Sequence, residues 1–499
     1  MRKYLHCVIW VLSLFVLLSC DNSNYKSVIP VDATFVASID LDEIADKSDF
    51  TNSSIFSLIK RDVENMIPSE SKDDILSYFE SPENLGLDFS DNVYVFMTPN
   101  RCLGITIKVH DSNAVEHFLS LFGDLGLAGN IVERDGLMWS SLIEDFDVVY
   151  NDETFLMLCS LNEGGSAISK QTANYLFSIG EDQMFVNSED YKVHFLELSD
   201  DIALSANLEL IPSLDDYLDI FLSENIDSKE VRLFSTVNFE DGKIVCNSKF
   251  NAETERCNQL LDDVDSHFKD IEGRYIDSPV DSFLVWSCFG IDGNWMLKAL
   301  KREPEIRQSL FLLGRAIDID MMIRSINGDC VLMIPHTFMT NESDNIDFSI
   351  IGTLSEKKFL NDVDYWMETM TDYGMSMDNI GDNQYVLKAN DFKFNWGVDD
   401  DNIYFTSENA YHRFAFSKRS DLLIKHEESI RKSKMYTYIN LKTLPLNEIS
   451  NVLGMSVPNG EKILNSLDAL IISSKSIRDF KVELIMNNKE ENVLKTILN

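Results

Sequence analysis

Positive charge is what this chain has least of. It carries 43 lysines and arginines against 83 acids, a formal charge of −40. A field of that sign repels nucleic acid and anionic lipid headgroups, so a nucleic-acid partner is not expected. The acids are spread along the chain, and their ordinary role is solubility. Cysteine motifs are missing too. Beyond Cys20 there are six cysteines, Cys102, Cys159, Cys246, Cys257, Cys288 and Cys330, with no CxxC pair among them. Metal binding by cysteine therefore has no spacing to support it. An even number in an oxidising route permits disulfides. Cys102, Cys159, Cys246 and Cys288 lie in apolar, strand-like runs, where a buried free thiol is the default. The histidines form neither HExxH nor an i,i+4 pair. A G-x-S-x-G elbow, a Walker loop and a dinucleotide fingerprint are all lacking, and Gly164-Gly165-Ser166 reads as a flexible turn. No catalytic, metal-ligating or cofactor-binding residue emerges, and no cofactor is expected.

Long apolar runs are scarce as well. The one near the start, Val8 to Leu18, is broken only by Ser13 and follows Arg2 and Lys3. It is too short to span a bilayer, which takes about 20 apolar residues, and has the length of a signal-peptide core. It ends in Leu17-Leu18-Ser19-Cys20, which resembles the lipobox of bacterial lipoproteins. The expectation is that residues 1–19 are an export signal and that Cys20 becomes the lipid-bearing first residue. Two or more acyl chains then hold the protein on a membrane. Residues 20–27 form the tether, starting with the polar Asp21-Asn22-Ser23-Asn24. Removal of Arg2 and Lys3 makes the remainder more acidic still.

The body reads as a tandem duplication. Pro30–Ser38 recurs as Pro279–Ser287, Phe146–Leu156 as Phe394–Tyr404, Ala206–Pro212 as Ile439–Pro445, and Asn251–Leu261 as Asn487–Leu498. The four matches keep their order, and simple inheritance from one repeated unit explains that. The expected halves are 28–272 and 277–499, joined near Ile271–Arg274. A hydrophobic content of 44% with 31 phenylalanines rules out a disordered chain.

Within the first half, period-2 and period-3.6 patterns alternate. Phe35–Asp40 reads as a strand and Leu41–Glu80 as helix interrupted at Pro68. Strands at 93–97 and 103–109 turn about Pro99–Arg101. A helix capped by Asp111 or Ser112 follows, with Val115, Phe118, Leu119 and Phe122 inward. Strands near 137–143, 146–151 and 154–160, a strand at 202–210, a helix at 213–223, a hairpin at 231–238 and 243–250, and a helix at 252–269 complete it. In the second half, 346–354 reads as a strand, Ser355 as the cap of a helix through Met370, and 384–389, 392–398 and 402–407 as strands. Hairpins dominate over crossovers. That predicts an α+β fold, two homologous tandem halves with mainly antiparallel sheet and helices packed on one face.

Acidic runs at Asp399-Asp400-Asp401-Asn402, Asp262-Asp263 and Asp318–Asp320 do not fit the spacing of a calcium loop. The first falls in a hairpin turn, where Asp and Asn are ordinary. Trp286 and Trp396 alternate within strands and read as core. Trp139 is the candidate for a surface groove, where an aromatic ring would stack on a sugar.

Tyr25 to Ala33, then Val36 to Leu41, and then Leu85-Gly86-Leu87-Asp88-Phe89 before Asn92–Phe96, resemble a lipoprotein family of Bacteroidota, domain of unknown function 4836. The resemblance runs over nearly the whole body. It implies export and supplies no activity and no site residue. The leading expectation is a non-enzymatic, lipid-anchored protein of the cell envelope, placed at the outer membrane with its face left open. It would touch the membrane through its lipid and bind or scaffold another envelope protein or a glycan. The alternatives are an envelope hydrolase or carbohydrate-processing enzyme with a site between the halves, and a divalent-cation-responsive module.

Overall fold

The computed structural model describes residues 24–66, 72–142, 146–162, 165–196, 200–210, 226–276, 283–335, 347–389, 392–407, 422–444 and 460–499. The expected export segment with Cys20, the expected break at Pro68 and the helix expected at 213–223 lie outside them. The fold is mixed helix and antiparallel sheet, and the chain divides into two compact units. The first takes the chain up to Leu210 with Leu233–Val245 and Lys489–Asn499; the second takes Ile211–Arg232 with Cys246–Asn488.

The main strands described in the first stretch of chain follow in sequence order. They are β1 (Phe35–Ile39), β2 (Val93–Met97), β3 (Cys102–Val109), β4 (Val132–Arg134), β5 (Leu137–Leu142), β6 (Phe146–Tyr150), β7 (Thr154–Ser160), β8 (Ile202–Asn207), β9 (Val231–Glu240) and β10 (Lys243–Ala252). In the first unit the pairing order is β8–β1–β2–β3–β7–β6–β5–β4, antiparallel throughout. The turn from β2 to β3 places Arg101 at φ 59°, as a tight hairpin requires. α1 (Leu41–Ser48), α2 (Ser54–Met66), α3 (Lys72–Glu80), α4 (Ser112–Asp124), α5 (Gly165–Leu176) and α6 (Glu189–His194) cover this sheet.

The helices cover both faces, not one. Phe155 and Met157 of β7 pack with Val115, Phe118 and Leu119 of α4. Leu156 and Leu158 pack on the other side with Tyr25, Ala173, Phe185 and Tyr191. A strand that is apolar at every position is the mark of a sheet buried on both sides. Asp111 caps α4 by accepting from the backbone N–H groups of Asn113 and Ala114. The four apolar residues expected on its inner side are all buried, each contributing roughly 1.5–3 kcal/mol.

A buried ion cluster ties the sheet to its flanking loop. Lys108 Nζ lies 3.1 Å from Asp88 and 2.9 Å from Asp91. Burial pushes the Asp88 carboxyl up, but hydrogen bonds from Ser90 and Lys108 outweigh it and hold the group below the usual carboxylate range. A depressed folded pKa contributes stability that is complete above the unfolded value, about 3.9, and is lost as pH falls through the lower folded value. Asp88→Asn is therefore expected to lower stability at neutral pH and to flatten the acid limb below about pH 4, read from urea midpoints across pH. An unchanged acid limb would contradict this.

The second stretch repeats the plan with β11 (Phe283–Asp292), β12 (Ile326–Pro335), β13 (Ser349–Leu354), β14 (Met375–Gly381), β15 (Gln384–Ala389), β16 (Phe392–Asp399), β17 (Asn402–Ser407), β18 (Met435–Asn440), β19 (Leu467–Ser474) and β20 (Asp479–Met486). Its order is β18–β11–β12–β13–β17–β16–β15–β14, with β19 on β18 and β20 on β19. Strand for strand this is the order of the first unit. Trp286 and Trp396 are buried, as their alternation implies.

One helix start differs from expectation. Ser355 does not cap a helix, because its hydroxyl and its N–H both donate to the Ser325 carbonyl. A 3-10 turn at Lys358–Asp362 comes first and buries Phe359, and α-helix begins only at Val363.

The closing helices exchange partners. α7 (Glu255–Ser266) follows β10 in sequence but belongs to the second unit, where Leu261 and Val264 join the core with Trp295. The C-terminal helix Val493–Leu498 follows β20 but belongs to the first unit.

Candidate binding surface

The acidic runs serve local structure. Asp400 sits at φ 45° in the turn between β16 and β17. Its neighbour Asp401 pairs with Lys357 at 3.1 Å, and Asn402 accepts from the Tyr275 hydroxyl at 2.7 Å. Asp262 holds Arg478 at 2.7 Å. Asp318 accepts from the Met321 N–H at 2.9 Å, an N-cap, while Asp320 pairs with Lys301 and Arg324. Among the described residues no group of three His, Cys, Asp or Glu side chains is placed to hold a metal ion.

The remaining candidates scatter. All six cysteines of the body are free. Cys102, Cys257, Cys288 and Cys330 are buried, while Cys159 and Cys246 are half-buried. Burial pushes the Cys330 thiol up to about 12, which keeps it protonated and unreactive. His194 stacks on Phe234 at 3.8 Å and His267 on Trp295 at 5.4 Å. Burial depresses the His426 pKa beside Tyr436 and Tyr438. His6, His336 and His412 lie outside the described residues.

The arrangement nearest to a nucleophile site is Ser166, Lys170 and Asp147. Ser166 Oγ donates to Asp147 Oδ1 at 3.2 Å, and Lys170 Nζ lies 3.4 Å from the same oxygen. Ser166 Oγ bonds the carboxylate and not the amine, so the two side chains share one carboxylate oxygen. The grouping anchors the start of α5 to β6 and does not activate the hydroxyl.

Trp139 is not a groove residue. It is buried in the core among Tyr25, Val149 and Leu156. Its strand β5 is paired on both edges, with Trp139 opposite Val132 and Val149, and helix residues such as Ala173 and Tyr191 share its core, so no edge of the ring is left for a sugar. Among the described residues the exposed aromatic rings lie elsewhere: Tyr175 on α5 of the first unit, and Phe311, Tyr365 and Tyr373 in the second. α8 (Gly293–Leu300), α9 (Pro304–Leu313), α10 (Ile319–Arg324) and α11 (Val363–Thr369) pack outside its sheet. The last continues as a 3-10 turn through Tyr373. Trp366 and Met370 point inward and are buried, which turns Tyr365 and Tyr373 outward, 66% and 45% exposed. They stand eight residues apart, about 12 Å along a helix axis. Arg315, just past the end of α9, places its guanidinium 5.2 Å from the centre of the Tyr373 ring. That contact holds the end of α9 beside the tyrosines, and there Phe311 is 69% exposed with Leu312 next to it.

The profile of a family described as domain of unknown function (DUF4836) matches residues 25–494. No curated protein matches. Among solved structures, crystal form IV of TP0453 is similar at 11% identity and a TM-score of 0.27, covering 46% of this chain and 81% of that one. Crystal form I of TP0453 gives 13% identity and 0.26, covering 50% and 89%. No helix among the described residues is long and apolar enough to cross a membrane.

Proposed function

The chain belongs to the family described as domain of unknown function (DUF4836), and on that premise we propose that it is an envelope lipoprotein, anchored through Cys20, whose task is to bind another protein. The observation that carries the binding reading is the Tyr365, Tyr373, Arg315 and Phe311 surface. Tyrosine and arginine are enriched in interface hot spots, tyrosine because it offers large contact area at small entropic cost. Arg315 already stacks on Tyr373, so that part of the surface is ordered before any partner arrives.

The body itself reads as two copies of one ancestral unit, 28–272 and 277–499. Support comes from the four ordered segment matches and from the strand order that β1–β8 and β11–β18 share.

The test is in-cell crosslinking. A photoreactive residue at position 373 in the native cell is expected to give one discrete protein adduct. Combining it with Arg315→Ala and Phe311→Ser should remove that adduct while leaving the protein level unchanged. A polysaccharide-sized adduct would move the reading to a glycan. An adduct no stronger than the one from exposed Tyr175 on α5 would end the binding reading for this surface.

A further inference from the structure

We propose that the α6 edge of the first unit lies in the headgroup layer of the membrane, with Val193 and Leu196 inserted among lipids. The proposal rests on the anchor at Cys20. Only four residue steps separate Cys20 from Asn24, where the described chain begins with a 3-10 turn. Four steps reach at most about 14 Å in any conformation. Tyr25, the next residue, is buried against Tyr94 with its hydroxyl donating to the Asn92 carbonyl at 2.6 Å. The body therefore has almost no leash. An acylated Cys20 sits at the boundary of the acyl region, and each headgroup layer is roughly 5–7 Å thick. The surface around Asn24 is then held within about 10 Å of the headgroup layer whatever conformation the tether takes.

That surface can be named from its contacts. Lys26 Nζ lies 3.5 Å from the Tyr191 hydroxyl of α6. The segment continues along the residues leading into α6. The Phe185 N–H donates to the Ile29 carbonyl at 2.8 Å, and the Val31 N–H to the Gln183 carbonyl at 2.8 Å. α6 thus shares the edge with the point where the chain leaves the body. Its Tyr191 and Phe195 face inward, and that turns Val193 and Leu196 outward, 61% and 58% exposed. Val31 is exposed on the same edge. Lys192 stands exposed beside Val193, with the acids Glu181, Asp182 and Glu189 exposed along the same segment. Apolar side chains beside lysines whose stems lie along them suit the water–lipid boundary and not bulk water.

All five tryptophans of the body are buried, so a tryptophan introduced at Leu196 reports its own surroundings. The acylated Leu196→Trp protein is placed in phosphatidylethanolamine and phosphatidylcholine vesicles whose acyl chains are brominated. The expected result is loss of most of the added emission, with no such loss in the Cys20→Ser version. Full added emission from protein whose mass shows the acyl groups would overturn the proposal and leave the anchor standing. A mass without acyl groups would overturn both.

Discussion

Deleting residues 489–499 is expected to unfold the first unit and leave the second folded. The C-terminal helix Val493–Leu498, α12, is last in the chain yet closes the unit that contains the first strands. Val493 and Leu494 are buried. The Gly242 N–H donates to the Glu491 carbonyl at 2.9 Å, and Asn492 Nδ2 to the Phe239 carbonyl at 2.8 Å. Ser54 Oγ donates to the Leu498 carbonyl at 3.0 Å, tying α12 to the start of α2. Two buried aliphatic side chains contribute roughly 3–6 kcal/mol, and three hydrogen bonds about 1 kcal/mol each. That sum rivals the whole stability of an ordinary domain, about 5–15 kcal/mol. Hydrogen exchange read by mass spectrometry resolves the units separately. Protection should vanish from β1–β3 and persist in β11–β13. Loss confined to peptides of 277–499 would show that the last helix stabilises its own stretch of chain instead.

Gly86→Ala is the second change with a large expected effect. Gly86 stands at φ 78° between a 3-10 turn and the short strand Leu87–Asp88, and its carbonyl accepts from both His110 and Asp111 N–H groups at 2.8 and 3.0 Å. A Cβ there would lie 2.2 Å from the Asp111 carbonyl oxygen and 2.9 Å from the Val115 nitrogen. Those are backbone atoms of the α4 cap, which cannot swing aside. The left-handed conformation alone costs an alanine roughly 1–2 kcal/mol. Displacing the cap of α4 adds about another 1–2 kcal/mol. Gly136 supplies the control, since it has φ 79° and nothing within 4 Å of an added Cβ. Gly136→Ala should show the conformational cost alone. The urea midpoint of Gly86→Ala should therefore fall at least twice as far as that of Gly136→Ala. Equal shifts would remove the packing argument.

What the sequence made legible were local features with a short-range cause. The α4 helix announces itself by Asp111 and four residues at helical spacing. The hairpins at Arg101 and Asp400 are marked by turn chemistry. The Leu85-Gly86-Leu87 motif, read only as part of a resemblance, turns out to be a turn that a side chain would block. The features that stayed hidden depend on what lies across space. Continuous apolar strands such as Phe155–Leu158 leave open which helices cover the second face. Trp139 sits in a strand with mixed burial, so its direction is decided by β6 and not by its own neighbours. Tyr365 and Tyr373 look like ordinary helix residues until the burial of Trp366 and Met370 fixes which side faces water. Phe311 lies within Leu310–Leu313, a run that reads as core. The exchange of α7 and α12 leaves no local trace, because a helix carries the same pattern whichever unit it closes. Ser166 and Lys170 meet at Asp147 only because β6 runs beneath the start of α5.

The lipid contact proposed at the α6 edge, and the envelope setting proposed for the surface of α9 and α11, both presuppose a chain held at a membrane through Cys20. The mass of the mature protein, measured beside Cys20→Ala, tests that claim most directly. The account predicts a chain that begins at Cys20 and is heavier by its acyl groups, and a variant that leaves the membrane fraction on mild washing. A Cys20→Ala protein that stays firmly in the membrane fraction, with the wild-type mass showing no acyl group, would contradict it.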